Sequence, residues 1–357
     1  VIYNANKEKE EKIAQILIMT GKEQAAVPEL FAGDIGAVAK LAVTGTGDSL
    51  TVKANPVIIE PIQFPEPTLN MAIEPKSKGD EDKLSGALQR LLEEDPTIRV
   101  EKNAETRQTI MKTMGDTHVD IVIEKLSRKF GVDVISKEMR IPYRETIRGT
   151  VEAEGKHKKQ TGGHGQYGHV WIKFEPTEDG PFVFEEHVFG GSVPRNYFPA
   201  VEKGLVEAMV EGVLAGYPVT NLKATLYDGS YHSVDSSEMA FKMAARLAFR
   251  KGLESAKPVL LEPIVNVEVE VPETYMGDII GDMNSKRGRV MGMEPAGRKQ
   301  IIKAQAPQAE MARYTIDLKS MTQGRGKFRM EFSHYEEVPG QIAEKIIEKA
   351  KQEKEEK

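Results

Sequence analysis

TLNMAIEP (68–75), DEDKLSGALQRLLEE (80–94), TIRVEKN (97–103), RQTIMKTM (107–114), GDTHVDIVIEKLSRKF (115–130) and GVDVIS (131–136) follow one another almost without a break. The first piece alternates apolar and polar residues, as a half-buried strand does. In the second, Leu84, Leu88, Leu91 and Leu92 recur at helical spacing, which predicts a helix over Asp80 to Glu94 with one apolar face. The next two pieces read as a hairpin. Gly115 to Phe130 predicts a second helix, with Ile121, Ile123 and Leu126 facing inward. GVDVIS closes the set as a strand. Strand–helix–strand–strand–helix–strand is the ferredoxin-like plan.

The same order recurs downstream. PIVNVEVEVP (263–272) reads as a strand, Glu273 to Arg287 as a helix, and RVMGMEPA (289–296) with KQIIKAQAP (299–307) as a hairpin. Gln308 to Gln323 reads as a second helix and GKFRMEFSHYEEV (326–338) as the last strand. Two copies of one small fold, 66–141 and 263–340, therefore flank a middle domain, 142–262. That domain mixes strands (GHVWIKFEP, TNLKATLYDG) with helices over Asn196–Glu211 and Ser236–Ser255. Ahead of the first copy, residues 1–65 carry short apolar runs, KIAQILIM and DIGAVAKL, separated by glycine turns. This segment reads as part of an antiparallel β-barrel, short enough to leave open edges. Pro56, Pro61, Pro65 and Pro67 mark a stiff boundary after it. The alternating Lys and Glu of 341–357 read as a solvated helix or frayed tail. The class is multidomain α+β.

The composition narrows the chemistry. The chain has 357 residues, no cysteine, and a net charge of −6. Disulfides, thiolate metal sites and cysteine nucleophiles are excluded. No apolar run reaches the roughly 18 residues that span a bilayer, and no signal-peptide pattern opens the chain, so a cytoplasmic protein without a membrane role is expected. The acidic balance argues against a general nucleic-acid coat. A nucleotide hydrolase needs G-x-x-x-x-G-K-[ST]; Gly155-Lys156 and Gly326-Lys327 lack the rest of that string. No phosphate loop is expected from these residues, and no catalytic residue is assigned.

Against this background the stretch Gly155–Lys173 stands out. It carries Lys156, Lys158, Lys159 and Lys173, the histidines His157, His164 and His169, and no acid. At its centre lie Thr161-Gly162-Gly163-His164-Gly165-Gln166-Tyr167-Gly168. Glycines make a thin loop that approaches a polymer closely, lysines neutralise phosphate, Tyr stacks on bases, and Gln and His hydrogen-bond base or ribose edges. A mobile hairpin tip with solvated lysines explains the same composition. A second cluster, Ser230-Tyr231-His232-Ser233-Val234-Asp235-Ser236-Ser237-Glu238, holds the residue types of a hydrolytic triad, but also those of a turn and helix cap. Asp116, His118 and Asp120 are metal-ligand types whose i, i+2 spacing points them apart on a helix, so no metal site is assigned. Lys286, Arg287 and Arg289 begin a basic run that continues through Arg298, Lys299, Lys303, Arg313, Lys319, Arg325, Lys327 and Arg329, with few acids between. RNA contact and a solvated surface both fit it.

Together these strings resemble translation elongation factor G. They include GGHGQYGH (162–169), GSYH (229–232), VDSSE (234–238), KPVLLEPI (257–264), GDIIGDMNSKRGRVMGME (277–294), FPEPTLNMAIEPKSKGDEDKL (64–84) and MGDTHVDI (114–121). The resemblance runs from near residue 1 to about residue 340. It implies that 1–65 are strands of the family's second domain, 66–141 the third, 142–262 the fourth with a ribosomal-protein-like fold, and 263–340 the fifth. It implies that the GTP-binding domain precedes residue 1, so that GTP and Mg²⁺ belong to full-length members and no cofactor to this chain. It further implies ribosome binding by a monomer during tRNA–mRNA translocation. The fourth-domain tip would reach the small-subunit decoding region through Gly162, Gly163, His164, Gly165, Gln166, Tyr167, Gly168, Ser230, Tyr231, His232 and Asp235. The fifth domain would meet the sarcin–ricin loop and stalk base of the large subunit through Lys286, Arg287 and Arg289. A paralogue acting in ribosome recycling or ribosomal protection is the alternative, although Gly-Gly-x-Gly-Gln-Tyr-Gly is altered in protection factors.

Overall fold

A computed structural model describes residues 1–160 and 165–355. They form two compact units, Val1–Met139 and Arg140–Lys357.

The first unit opens with β1 (Ile2–Asn4), β2 (Lys9–Glu11), β3 (Ile16–Thr20), β4 (Glu23–Val27), β5 (Ala37–Val38) and β6 (Leu50–Thr51). They make two three-stranded antiparallel sheets, ordered β2-β1-β6 and β4-β3-β5. The run DIGAVAKL yields only the two-residue β5, because Lys40 takes a left-handed φ of 63° and turns the chain off β3. Polar bonds hold this segment more than a core does. Ala5 is its one buried apolar residue, while Ile35, Ile59 and Ile62 are exposed. The Glu11 carboxylate accepts from the Ala42, Val43 and Thr44 amides and the Thr44 hydroxyl. Asp48 accepts from the Gly45 amide (2.8 Å) and the Asn4 side chain (2.9 Å).

These bonds, first the Gly45 amide and then Asn4 and Lys7, pull the Asp48 carboxyl down to about 2 from an ordinary 3.8. A depressed carboxyl contributes stability above its unfolded value and loses it as pH falls through the folded value. Residues 1–53 are therefore expected to lose amide dispersion in NMR spectra between about pH 4 and pH 2. Asp48→Asn should weaken the segment at neutral pH and blunt that acid transition. An unchanged transition in the variant would remove Asp48 as its cause.

The ferredoxin-like part comprises β7 (Leu69–Pro75), α1 (Lys78–Glu94), β8 (Arg99–Lys102), β9 (Thr109–Thr113), α2 (Asp116–Phe130) and β10 (Val134–Lys137). Its antiparallel order is β10-β7-β9-β8. The Ser77 hydroxyl caps α1 through the Asp80 amide, and Gly131 in a left-handed conformation ends α2. Leu84, Leu88 and Leu91 pack with Ile73, Met111, Val119, Val122, Leu126 and Val134; Leu92 is half-buried. The inward face of α2 differs from the sequence expectation at one position. Val119, Val122 and Leu126 make the stripe with Ile123 beside it, which turns Ile121 outward to 46% exposure. His118 is structural: Nδ1 accepts from the Met114 amide and Nε2 donates to Asp95 (3.0 Å). Asp116 and Asp120 are exposed, and no three metal-ligating side chains gather among the described residues.

The second unit contains β11 (Arg144–Ile147), β12 (Val151–Lys159), β13 (Gln166–Pro176), β14 (Phe182–Glu186), α3 (Phe198–Glu211), β15 (Leu222–Ser230) and α4 (Glu238–Ser255). It continues with β16 (Pro258–Pro272), α5 (Met276–Ser285), β17 (Arg289–Ala296), β18 (Lys299–Pro307), α6 (Tyr314–Thr322), β19 (Lys327–Glu337) and α7 (Gly340–Glu355). One sheet is ordered β12-β13-β15-β14, with β14 parallel to β15. Its core gathers Ile172, Phe174, Leu205, Leu226, Phe241, Ala244, Ala248 and Phe249. The other is β19-β16-β18-β17, the order of β7 to β10 again, with β11 added on the first residues of β16. Strand β16 begins at Pro258, so it runs unbroken across residue 262. Helix α5 stops at Ser285, short of Arg287, whose φ is 57°. The tail is a helix, and it is not wholly solvated: Ile342, Ala343, Ile346 and Ile347 are half-buried and Ala350 is buried. Three- and four-residue spacing puts these on one face, with Lys and Glu on the others.

Candidate nucleic-acid interface

Strand direction gathers one set of loops. β12 ends at Lys159 where β13 begins at Gln166, and β15 ends at Ser230 beside His169. α4 starts just beyond, with the Ser237 hydroxyl capping it through the Ala240 amide. The sequence-predicted residues Gly162, Gly163 and His164 lie outside the described residues. Gly165 to Gly168 and Ser230 to Asp235 are brought together. The Gly165 amide donates to Asp235 Oδ1 (3.0 Å), and a Cβ on Gly165 would meet that carboxylate at 2.9 Å. The Tyr167 amide donates to the Asp235 carbonyl (2.8 Å), and the Ser236 hydroxyl donates to the Tyr167 carbonyl (2.9 Å). Two loops far apart in the chain thus form one ledge.

A directed chain of hydrogen bonds braces it. The Tyr167 hydroxyl meets Ser230 Oγ at 2.7 Å, Ser230 Oγ meets His169 Nδ1 at 2.8 Å, and His169 Nε2 meets Glu154 Oε1 at 3.0 Å. A neutral imidazole satisfies all three: Tyr donates to Ser, Ser to Nδ1, and Nε2–H to the carboxylate. Tyr167 is therefore a positioned side chain with its hydroxyl engaged. Gln166 Oε1 meets His157 Nε2 at 2.9 Å on the exposed side. His232 faces its own turn: Nδ1 accepts from the Val234 (3.3 Å) and Asp235 (3.1 Å) amides, and its amide donates to Ser236 Oγ. It shapes the loop, and among the described residues its imidazole makes no hydrogen bond to a serine hydroxyl, so the triad-like composition resolves as a turn. Tyr231 and Val234 project outward, 51% and 63% exposed.

Gly168 differs from its reading as a loop glycine. It lies inside β13 under α4, where a Cβ would stand 2.4 Å from the Ala240 carbonyl oxygen. Lys173 is also away from the tip, in mid-strand and paired with Glu175 (2.8 Å). Lys156, Lys158 and Lys159 are exposed on the last residues of β12 and, among the described residues, face no carboxylate at ion-pair distance.

The basic run of the last ferredoxin-like part is arranged otherwise. Lys286 Nζ lies 3.0 Å from both Asp282 and Asp317. Arg287 grips Glu262 with two bonds (2.6 and 2.9 Å) and Glu310 with a third (2.9 Å). The Glu262 bonds above all hold this guanidinium well above even its ordinary value. Arg289 is largely exposed, 3.4 Å from Glu336. The antiparallel register brings Glu268 to Arg329 (2.8 Å), Glu270 to Lys299 (2.5 Å) and Glu294 to Lys303 (2.7 Å).

Models of elongation factor G domains match the chain nearly end to end. They are domain 2 over residues 1–53, domain III over 64–138, domain IV over 139–257 and the C-terminus over 259–346. The chain belongs to the elongation factor G family. A crystal structure of a Thermus thermophilus protein superposes with a TM-score of 0.81 at 40% identity, covering 95% of this chain and 51% of that one. The chain thus spans about half the length of that protein.

In the elongation factor G frame the ledge lies within the domain IV match and the Arg287 cluster within the C-terminal match. Sequence reasoning missed two carboxylates. Glu145 (1% exposed) accepts from five backbone amides, Val213, Leu214, Ala215, Gly216 and Tyr217, at 2.6–3.0 Å. Glu262 (2% exposed) anchors Arg287. Glu145 is the lone acid of β11, and Glu262 interrupts the apolar run from Val259 to Val265; that was the available signal. Among the described residues no helix is long and apolar enough to cross a membrane.

Proposed function

We propose that this chain is the ribosome-binding portion of an elongation factor G-type translational GTPase that promotes tRNA–mRNA translocation in the cytoplasm. The domain IV ledge enters the small-subunit decoding region and contacts tRNA and mRNA, and the C-terminal domain meets the sarcin–ricin loop and stalk base, acting as a monomer. Gly165, Gln166, Tyr167, Ser230, Tyr231, His232 and Asp235 form or shape the RNA-facing edge. Arg289 is the basic residue of the C-terminal trio still open to solvent. No GTP or Mg²⁺ site is assigned to this chain's residues. The chain has no G-x-x-x-x-G-K-[ST] string, so no hydrolytic step is assigned to it.

One observation carries the reading. In a chain of net charge −6, the lysines 156, 158 and 159 face no carboxylate among the described residues and stand beside a braced glycine-bearing ledge, while Lys286, Arg287, Lys299 and Lys303 are matched by carboxylates. Free cations at one edge give salt-dependent RNA affinity, and overall acidity limits sticking elsewhere. The test is co-sedimentation with ribosomes over a salt series, beside a variant with Lys156, Lys158 and Lys159 changed to Ala. The slope of log affinity against log salt should become shallower by about 2 to 3 in the variant, at roughly 0.7–0.9 per phosphate contact. Identical slopes would sink the reading.

A further inference from the structure

The ledge has a third neighbour. β14 runs parallel to β15, with Glu186 opposite Leu226, so the chain leaves β14 at the same end as Ser230. The connection to α3 is anchored on both sides. The His187 amide donates to the Leu226 carbonyl (2.8 Å), and Val193, 1% exposed, packs where a Cβ on Gly229 would meet it at 2.5 Å. Tyr197 then donates its hydroxyl to the Ser236 carbonyl (3.3 Å), tying the loop's far end to the ledge. Between these anchors Gly190 and Gly191 both take left-handed φ, 68° and 72°, and a Cβ added to either would meet nothing within 4 Å. Their role is backbone shape, a left-handed turn directly after Phe189. At 88% exposure it is the most exposed large apolar side chain described in this unit.

A lone exposed ring needs no explanation. This one lies at the same end of the sheet as the half-exposed Tyr231, as Arg195, which is exposed and has no carboxylate partner among the described residues, and as Lys156, Lys158 and Lys159 three strands across on β12. The amino ends of α3 and α4 open toward the same edge and add positive potential. Exposed carboxylates at this end are Glu186, Asp228 and Glu238. Aromatic rings interleaved with unpaired cations are the surface that binds unpaired nucleotides, ring on base and cation on phosphate.

We propose that residues 187–196 form a third RNA-contacting loop, in which Phe189 stacks on an unpaired nucleobase and Arg195 neutralises a neighbouring phosphate. The proposal rests on the ribosome-binding reading above. Stacking and phosphate contact separate cleanly, because stacking is insensitive to salt and phosphate contact is not.

The test measures affinity of the whole chain for vacant and mRNA-programmed ribosomes over a salt series, with Phe189→Ala, Phe189→Leu, Phe189→Trp and Arg195→Ala. Both positions are at the surface, and unchanged melting temperatures confirm intact folding. Phe189→Ala and Phe189→Leu should each weaken binding on the order of tenfold with the salt slope unchanged, while Phe189→Trp binds like the parent. Arg195→Ala should make the slope shallower by about 1. Loss only on programmed ribosomes assigns the base to mRNA; loss on both assigns it to ribosomal RNA. Parent-like binding by Phe189→Leu would mean an apolar protein contact and overturn the proposal, as would parent-like binding by Phe189→Ala. If those variants bind normally while the triple-lysine variant does not, the loop proposal fails and the ribosome reading stands. If the parent chain itself does not bind, both fall.

Discussion

Glu145→Gln lowers the melting temperature of the Arg140–Lys357 unit by roughly 10 °C. The carboxylate sits at 1% exposure and serves as acceptor for five consecutive amides of residues 213–217. Oε2 takes Val213 (2.6 Å) and Leu214 (2.8 Å); Oε1 takes Ala215, Gly216 and Tyr217. The segment needs this external acceptor because it follows α3 at Gly212, whose left-handed φ of 61° turns its amides inward. A carboxamide keeps one oxygen but points an NH₂ at two amides that also donate. Each orphaned buried donor costs about 1–3 kcal/mol, so the loss is about 3–5 kcal/mol. At roughly 2–4 °C per kcal/mol for a unit of this size, that gives the stated shift. The backbone of Glu145 also pairs with Pro218 and Thr220, so Gln preserves the strand and isolates the side-chain effect. Calorimetry of the two chains checks it; a shift under about 2 °C would mean that water or local refolding supplies the missing acceptors.

Gly155→Ala costs roughly 3 kcal/mol. An added Cβ would stand 1.9 Å from the Ala244 carbonyl oxygen and 2.8 Å from Ala248 Cβ. Those atoms belong to α4, which lies directly on β12 and β13 through Ala240, Ala244, Ala248 and Gly252. No side-chain rotation relieves a clash with a backbone carbonyl. The helix must lift, and lifting it loosens Phe241, Phe249 and Leu253 in the same core. Overpacking costs typically about 1–3 kcal/mol, and a backbone obstacle belongs at the upper end. Gly168→Ala, 2.4 Å from the Ala240 oxygen, should behave alike. Gly86→Ala is the control: exposed in α1 with nothing within 4 Å, it should gain about 0.5–1 kcal/mol from helix propensity. Urea midpoints at constant slope measure all three. Parent-like stability of Gly155→Ala would show that α4 shifts freely, and the ledge would then not be rigidly mounted.

The ferredoxin-like plan was legible in the residues because its signals are local. Leucines 84, 88 and 91 mark a helix face within a few turns, and strand runs alternate. The glycine-rich tip and the Ser230–Asp235 cluster were legible as residue types with a joint purpose, and the resemblance to elongation factor G rested on those strings. Reach across the chain was not legible. Lys286 and Arg287 read as open cations because acids are sparse nearby in sequence, but α6 and β16 carry Asp317 and Glu262 to them. Gly168 read as loop freedom until a helix from far downstream was laid upon it. Ile121 read as core because only the packed partner decides which of two neighbouring isoleucines turns inward.

Periodicity, caps and motif order are properties of neighbouring residues, and chain connectivity alone enforces them. Whether a charge is free, a glycine is obligatory or a carboxylate is buried depends on which distant strand lies alongside. Sheet register and helix docking set that. They settle that Lys156, Lys158 and Lys159 meet no carboxylate among the described residues while Arg287 meets two, and that Phe189 emerges just after β14, toward the Ser230 end of the sheet.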